Sequence, residues 1–308
     1  MTKYIVSGYI GFDNFGDEAI AHVLSEKLKK SGAERVTLIS SNPEKTMRIH
    51  GVASCGMLNF LPSLIESDVL ISGGGSLLQD VTSLKSLIYY LGVIYAALIL
   101  NKKVEIFAQG IGPIKSRFGQ LLTAAALKHA SKISVRDKLS QNLLKSWGIQ
   151  SESVNDPVLE MEFPRLQKTG CVGVQLRGFE TLTEEFMIRL AKQIKTYFSE
   201  KEIIVFSLQD KIDAKVCSRF AELLRQEGLA PKLKFNLDMD GVINTVSNLE
   251  YLVAMRFHAN VAGLKSGVKT LAINYDPKVA QLAEEYNLPM INLNQEDLSY
   301  GFERLVSD

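Results

Sequence analysis

The feature that most restricts this chain is a strand-then-helix rhythm that runs through twice with one interruption. Short apolar, β-branched runs fall near residues 4–7, 36–40, 69–72, 104–108 and 133–135, separated by longer stretches with helical spacing. The same rhythm resumes near residues 172–176, 203–207, 251–255 and 270–274. Strands parted by helices cannot close as hairpins, so they lie parallel, joined by right-handed crossovers whose helices cover both faces of a sheet. The interruption, residues 155–165, holds Pro157 and Pro164 and little periodicity, which marks a boundary. At 308 residues the chain is long enough for two cores. The expected fold is α/β, with two Rossmann-like doubly wound domains, 1–158 and 165–308, facing across a cleft.

Bulk properties remove several function classes. The net charge is +1, with 46% hydrophobic and 22% charged residues, and that charge carries no signature of nucleic-acid or membrane binding. Cys55, Cys171 and Cys217 are scattered and lack metal-ligand spacing, as expected of a reducing compartment. The first residues enter a strand pattern without the apolar core of a signal peptide, so a cytoplasmic protein is expected. One run, SLIYYLGVIYAALIL at 86–100, hints at a membrane. It is shorter than the roughly 20 residues of a spanning helix, so a buried helix is expected, with a membrane-surface contact as the alternative. His22, His50 and His129 form no H-E-x-x-H pattern, and no metal is expected. Neither a G-x-S-x-G elbow nor a P-loop occurs, which argues against triad hydrolases and P-loop ATPases.

Parallel sheets bind ligands beyond the carboxyl ends of their strands, and the unusual residues fall there. The first strand runs into Gly8-Tyr9-Ile10-Gly11-Phe12-Asp13-Asn14-Phe15-Gly16-Asp17, a glycine-rich turn opening a helix. The third ends in Ser72-Gly73-Gly74-Gly75-Ser76-Leu77-Leu78-Gln79-Asp80, expected to be a ligand wall. The fourth ends in Gln109-Gly110 and the fifth in Arg136-Asp137. In the second half, Arg177 ends one strand, Arg256 and His258 follow another, and Lys278 lies in the helix turn opened by Asp276-Pro277. A cation at a helix N-terminus costs roughly 0.3–1 kcal/mol, so its recurrence asks for a compensating anion. The bland alternative pairs Arg136 with Asp137 and Lys278 with Asp276, and packs His258 under its helix.

In order along the chain, G-Y-I-G-F-D-N-F-G-D-E-A-I, S-G-G-G-S-L-L-Q-D, Q-G-I-G-P, S-V-R-D, R-F-H-A and Y-D-P-K resemble the polysaccharide pyruvyl transferase family, of the ketal-forming type. The resemblance implies a fold similar to that of B-type glycosyltransferases. It also implies transfer of a pyruvyl group from phosphoenolpyruvate to a sugar diol of a cell-wall or surface polysaccharide precursor, releasing phosphate. Phosphoenolpyruvate is then a co-substrate and no cofactor is implied. Matching family motifs by position, Arg136, Arg256 and Lys278 become donor-binding candidates, joined by Arg177 from its strand end. His258, Lys278 and Arg256 become catalytic candidates. Phe257 stands where leucine is common in the family, which touches pocket shape alone. The first domain becomes the acceptor side, with Gly11, Gly16, Asp17, Gly74, Gly75, Asp80 and Gln109 facing a sugar or lipid-linked saccharide. Such an acceptor would bring the protein to the inner face of a membrane without spanning it. Two alternatives stand beside this reading: a nucleotide-sugar glycosyltransferase of the same fold, whose cations would grip a diphosphate, and a noncatalytic carbohydrate-binding relative.

Overall fold

The computed structural model describes residues 1–81 and 83–307. The chain divides into two compact units, Met1–Met161 and Glu162–Asp308. The first unit runs β1 (Lys3–Ser7), α1 (Phe15–Lys30), β2 (Arg35–Ile39), α2 (Pro43–His50), β3 (Ala53–Cys55), α3 (Phe60–Ile65) and β4 (Val69–Gly73), then α4 (Leu84–Ile99), β5 (Lys103–Gln109), α5 (Arg117–Leu127), β6 (Lys132–Val135), α6 (Lys138–Ser146) and β7 (Glu152–Ser153). Its strands pair in parallel in the order β3-β2-β1-β4-β5-β6-β7.

The second unit runs β8 (Val172–Gln175), α7 (Glu184–Phe198), β9 (Ile203–Phe206), α8 (Asp210–Gln226), β10 (Lys232–Lys234) and α9 (Met239–Ser247), then β11 (Tyr251–Ala254), α10 (Phe257–Lys265), β12 (Lys269–Asn274), α11 (Pro277–Glu285), β13 (Met290–Asn292) and α12 (Ser299–Ser307). It repeats the parallel order as β10-β9-β8-β11-β12-β13. Both units are therefore doubly wound α/β sheets. All nine strands read from the sequence are present. Those it missed, β3, β7, β10 and β13, are edge or near-edge strands of two or three residues, too short to show a period.

The central strands read as continuous apolar runs because both of their faces are covered. In the first unit, α1 packs through Ala21, Leu24 and Leu28 on Val6, Leu38 and Ile71. The other face carries α3, α4 and α5, which share a core with Ile5, Leu70, Val104 and Ile106. In the second unit, α7, α8 and α12 bury Phe186, Phe198, Phe220 and Phe302 against Val172, Val174 and Val205.

The glycine-rich loop after β4 is shaped by this packing. Gly74 has φ +64, and a Cβ there would fall on Cγ2 of Ile20 in α1. The loop thus lies directly on the first helix, and Gly74 is required for that packing. Gly74→Ala is expected to destabilise the protein by about 2 kcal/mol, through both the left-handed backbone and the overpacked Ile20. Urea unfolding measures this; an unchanged midpoint would show that the loop can lift off α1.

Candidate functional site

In a doubly wound sheet, neighbouring crossovers that run to opposite faces leave a crevice at the strand ends where the order reverses. The reversal falls between β1 and β4 in the first unit and between β8 and β11 in the second. The motif residues cluster at these two mouths.

In the second unit, Arg177 leaves β8, Arg256 and His258 start α10 after β11, and Lys278 lies in the first turn of α11 after β12. Arg256 occupies the N-cap position of α10, with extended backbone and no side-chain capping bond among the described residues. Its guanidinium is directed inward. Nε and Nη2 donate to the two carboxylate oxygens of Asp213 at 2.7 and 2.8 Å, and Nη2 also reaches Gln209 Oε1 at 3.3 Å. Arg256 is only 8% exposed and Asp213, on α8, is fully buried. Asp213 Oδ2 further accepts from the amides of Leu208 and Gln209, both at 3.1 Å, and from Gln175 Nε2 at 3.3 Å. Gln175 Oε1 in turn accepts from the Arg256 amide at 2.9 Å. The pair therefore ties the ends of β8, β9 and β11 together and fixes where α10 begins.

Arg177 is held differently. Nη1 donates to the Tyr275 hydroxyl at 3.0 Å, and the guanidinium lies 5.9 and 5.6 Å from the ring centres of Phe179 and Tyr275. Its buried Nε has no hydrogen-bond partner among the described residues. Tyr275 and Phe179 meet edge to face at 5.1 Å, so the guanidinium plane is set by two rings. His258, half-buried in the first turn of α10, stands edge-on to Phe257 at 5.1 Å. Asp276 caps α11 by accepting from the Lys278 amide at 2.9 Å.

In the first unit, Arg136 ion-pairs with Asp156, their side chains 8% and 3% exposed, and reaches Ser76 Oγ at 3.3 Å. Asp137 instead caps α6, accepting from the amide and hydroxyl of Ser140 at 2.8 and 2.7 Å. The anions invoked to balance the strand-end cations are thus partly internal: Asp156 answers Arg136 and Asp213 answers Arg256. Neither arginine presents the open guanidinium expected from the sequence, and in place of the bland alternative, an Arg136–Asp137 pair, Arg136 meets Asp156.

The acceptor-side candidates divide in the same way. Asp80 accepts from the amides of Lys115 and Ser116 at 2.7 and 2.8 Å. Against the desolvation that opposes them, these amides hold its carboxyl below the usual range, and the carboxylate pins the loop before α5. Gln109 is fully buried, donating from Nε2 to Ser72 Oγ at 2.7 Å. Gly11 has φ +82 and lies against the β2–α2 loop, where a Cβ would come within 2.7 Å of the Asn42 amide nitrogen. Gly16, buried in α1, donates its amide to the N-cap Asn14 at 3.1 Å. Asp17 lies against the loop after β4: its Oδ1 would lie 2.6 Å from a Cβ on Gly75, which has φ +69. After burial itself, the Asp17 charge is the next cause that raises the Tyr90 phenol.

A cavity of about 780 Å³ opens at this end of the first sheet, lined by the β1–α1, β2–α2 and β3–α3 loops and by α4. None of the seven acceptor-side candidates lines it. Its walls include Tyr9 and Phe12, stacked at 4.2 Å and 8°, with Ser40, Ser41, Tyr89 and Tyr90. Sequence reasoning missed these residues because four separate segments supply them. Two flat rings beside hydroxyls suit a sugar ring, which presents apolar C–H faces and polar edges. Also missed was Glu18, buried in α1, which accepts from the Gly11 amide at 2.7 Å and lies 2.9 Å from His50 Nε2; its carboxylate holds the first glycine-rich turn in place.

A family model described as "Polysaccharide pyruvyl transferase" matches residues 14–277. Among curated proteins, none matches significantly. Solved structures share the fold at low identity. The UDP-GlcNAc 2-epimerase from Methanocaldococcus jannaschii is 13% identical, with a TM-score of 0.67 over 100% of this chain and 93% of that one. A glycosyltransferase from Rickettsia africae is 13% identical, with a TM-score of 0.64 over 99% and 88%. The Anabaena HepE protein, solved in complex with UDP and glucose, is 13% identical, with a TM-score of 0.62 over 95% and 85%. The fold is thus of the B-type glycosyltransferase kind.

Asp213→Ala would leave a buried guanidinium without its counter-charge. It is expected to cost about 3–5 kcal/mol, read by chemical denaturation of the second unit's transition. Wild-type stability in that variant would show that Arg256 swings out to solvent at no cost.

Proposed function

The chain belongs to the polysaccharide pyruvyl transferase family, and on that premise we propose that it is a ketal-forming pyruvyl transferase. It is a transferase of polysaccharide modification; the finer reading is that phosphoenolpyruvate is the donor and a sugar diol of a cell-wall or surface polysaccharide precursor the acceptor. The observation that carries this reading is the convergence of Arg177, His258 and Lys278 at the strand ends of one sheet, within or one residue beyond the matched span. The second unit is then the donor side and the first, with its aromatic cavity and Asp17, the acceptor side. A lipid-linked precursor would place the work at the cytoplasmic face of a membrane.

The chemistry asks for three things. A proton must reach the methylene carbon, making C2 electrophilic. A sugar hydroxyl then bonds to C2, the bond from C2 to the phosphate oxygen breaks, and the second hydroxyl closes the ketal. Of the two hydroxyl protons, one replaces that spent on the new methyl group and the other leaves with phosphate.

Arg177, oriented by Tyr275 and Phe179, offers a planar fork suited to a carboxylate or phosphate. His258, at the start of α10, can carry the proton, because an imidazole ring can both donate and accept one through its two nitrogens. Lys278 offsets charge gathering on the departing phosphate. Arg256 acts through position: clamped to Asp213, it sets the first turn of α10, two residues ahead of His258. Asp17 orients or deprotonates an acceptor hydroxyl.

The test is phosphate release from phosphoenolpyruvate across a panel of diol acceptors, including lipid-linked N-acetylmannosamine types. His258→Ala is expected to lower kcat by about 10²–10⁴-fold, and Arg177→Ala to raise KM for phosphoenolpyruvate more than it lowers kcat. No release with any acceptor, together with tight binding of a UDP-sugar, would overturn the reading in favour of a nucleotide-sugar glycosyltransferase. Sugar binding without any turnover would favour a noncatalytic relative.

A further inference from the structure

The layer of α3, α4 and α5 on the first sheet is apolar on both sides. Its inner side forms the core with Leu64, Leu87, Leu91, Ile94 and Leu127. Its outer side exposes Leu61 and Ile65 on α3, Leu84, Ile88 and Ile99 on α4, and Phe118 and Leu121 on α5. Ile99 is 78% and Leu121 68% exposed, while Leu58, just before α3, is 98% exposed. The helices are neighbours: Tyr89 on α4 donates to Met57 Sδ at 3.0 Å, and Tyr95 on α4 donates to the Leu122 carbonyl on α5 at 2.8 Å. These side chains therefore belong to one face, a larger apolar surface than scattered exposed residues would make.

What covers this face follows from its charge and its neighbourhood. The three helices contain no carboxylate residue, although the whole chain is nearly neutral. The exposed cations Lys85, Arg117 and Lys128 flank the apolar side chains, and none is ion-paired among the described residues. The face also runs into the aromatic cavity, because Met57, Leu58, Lys85 and Tyr89 belong to both. No helix among the described residues is long and apolar enough to cross a membrane. Apolar side chains flanked by unpaired cations, with the neighbouring carboxylate of Glu66 at the end of α3 ion-paired to Arg35, suit a surface of anionic lipid.

We propose that the outer face of α3, α4 and α5 docks on an anionic bilayer surface and brings the mouth of the first unit's cavity to the lipid headgroups. An acceptor carried on a lipid would then enter the cavity sideways from the membrane. The docking does not depend on the chemistry of transfer, so the two can fail separately.

The full-length protein should co-sediment with phosphatidylglycerol vesicles and much less with phosphatidylcholine vesicles. Raising salt from ~0.1 to ~1 M should weaken the binding, as screening shortens. Arg117→Ala and Lys128→Ala should each reduce partitioning about fivefold, corresponding to roughly 1 kcal/mol per cation. Leu121→Glu, at a surface position whose fold can be checked by circular dichroism, should reduce partitioning tenfold or more. It should leave turnover of a short soluble acceptor unchanged while raising KM for the same sugar presented on vesicles. Absence of wild-type partitioning, or Leu121→Glu binding as wild type, would overturn the proposal. Concentration-dependent dimerisation abolished by Leu121→Glu, without vesicle binding, would assign the face to a second copy of the chain instead.

Discussion

One buried carboxylate sets the geometry of the second unit's mouth. Asp213 receives both arms of Arg256, two backbone amides and a glutamine side chain. A charge so fully withdrawn from water persists only if its partners are in place, and those partners come from β8, the end of β9 and the start of α10. The carboxylate therefore fixes the relative positions of three strand ends before any ligand arrives. Arg177, which leaves β8, and His258, in the first turn of α10, inherit their placement from that frame. The Arg136–Asp156 pair holds the end of β6 in the first sheet in the same way.

Much of the fold was legible because parallel strands buried on both faces must be short, apolar and separated by helices. The position of the motif residues was legible for a related reason: a doubly wound sheet has few places where loops converge, and Arg177, Arg256, His258 and Lys278 all follow strands. Their partners were not legible. Asp213 lies 43 residues before Arg256, and Asp156 lies 20 after Arg136, so nothing local distinguishes an inward ion pair from an outward anion site. Dipole reasoning identified that compensating anions were needed, and the structure supplies two of them from within the chain.

The glycine-rich loops show a second limit. A glycine required for helix packing and one required for ligand approach read alike in sequence. Ile20 occupies the space above Gly74, whereas Asp17 lies beside Gly75. Nor does local pattern announce a strained residue such as Ala108, which adopts φ +46 at the register shift of β5. The cavity walls escaped notice because they are assembled from four segments. In α4, apolar residues occupy every side, so the run at 86–100 gave a buried helix and concealed that one face remains exposed.

The two units thus present different chemistry at equivalent places in the same topology: aromatic rings and hydroxyls at one mouth, cations set by rings and an internal carboxylate at the other. The most direct test follows the donor carbon itself. Phosphoenolpyruvate labelled with carbon-13 at C2 is incubated with the protein and a sugar diol and observed by carbon NMR. Pyruvyl transfer converts the labelled enol carbon to a quaternary ketal carbon in step with phosphate release, and the conversion stops in His258→Ala. A labelled carbon that stays in phosphoenolpyruvate with every diol, while a nucleotide sugar is consumed, would contradict it.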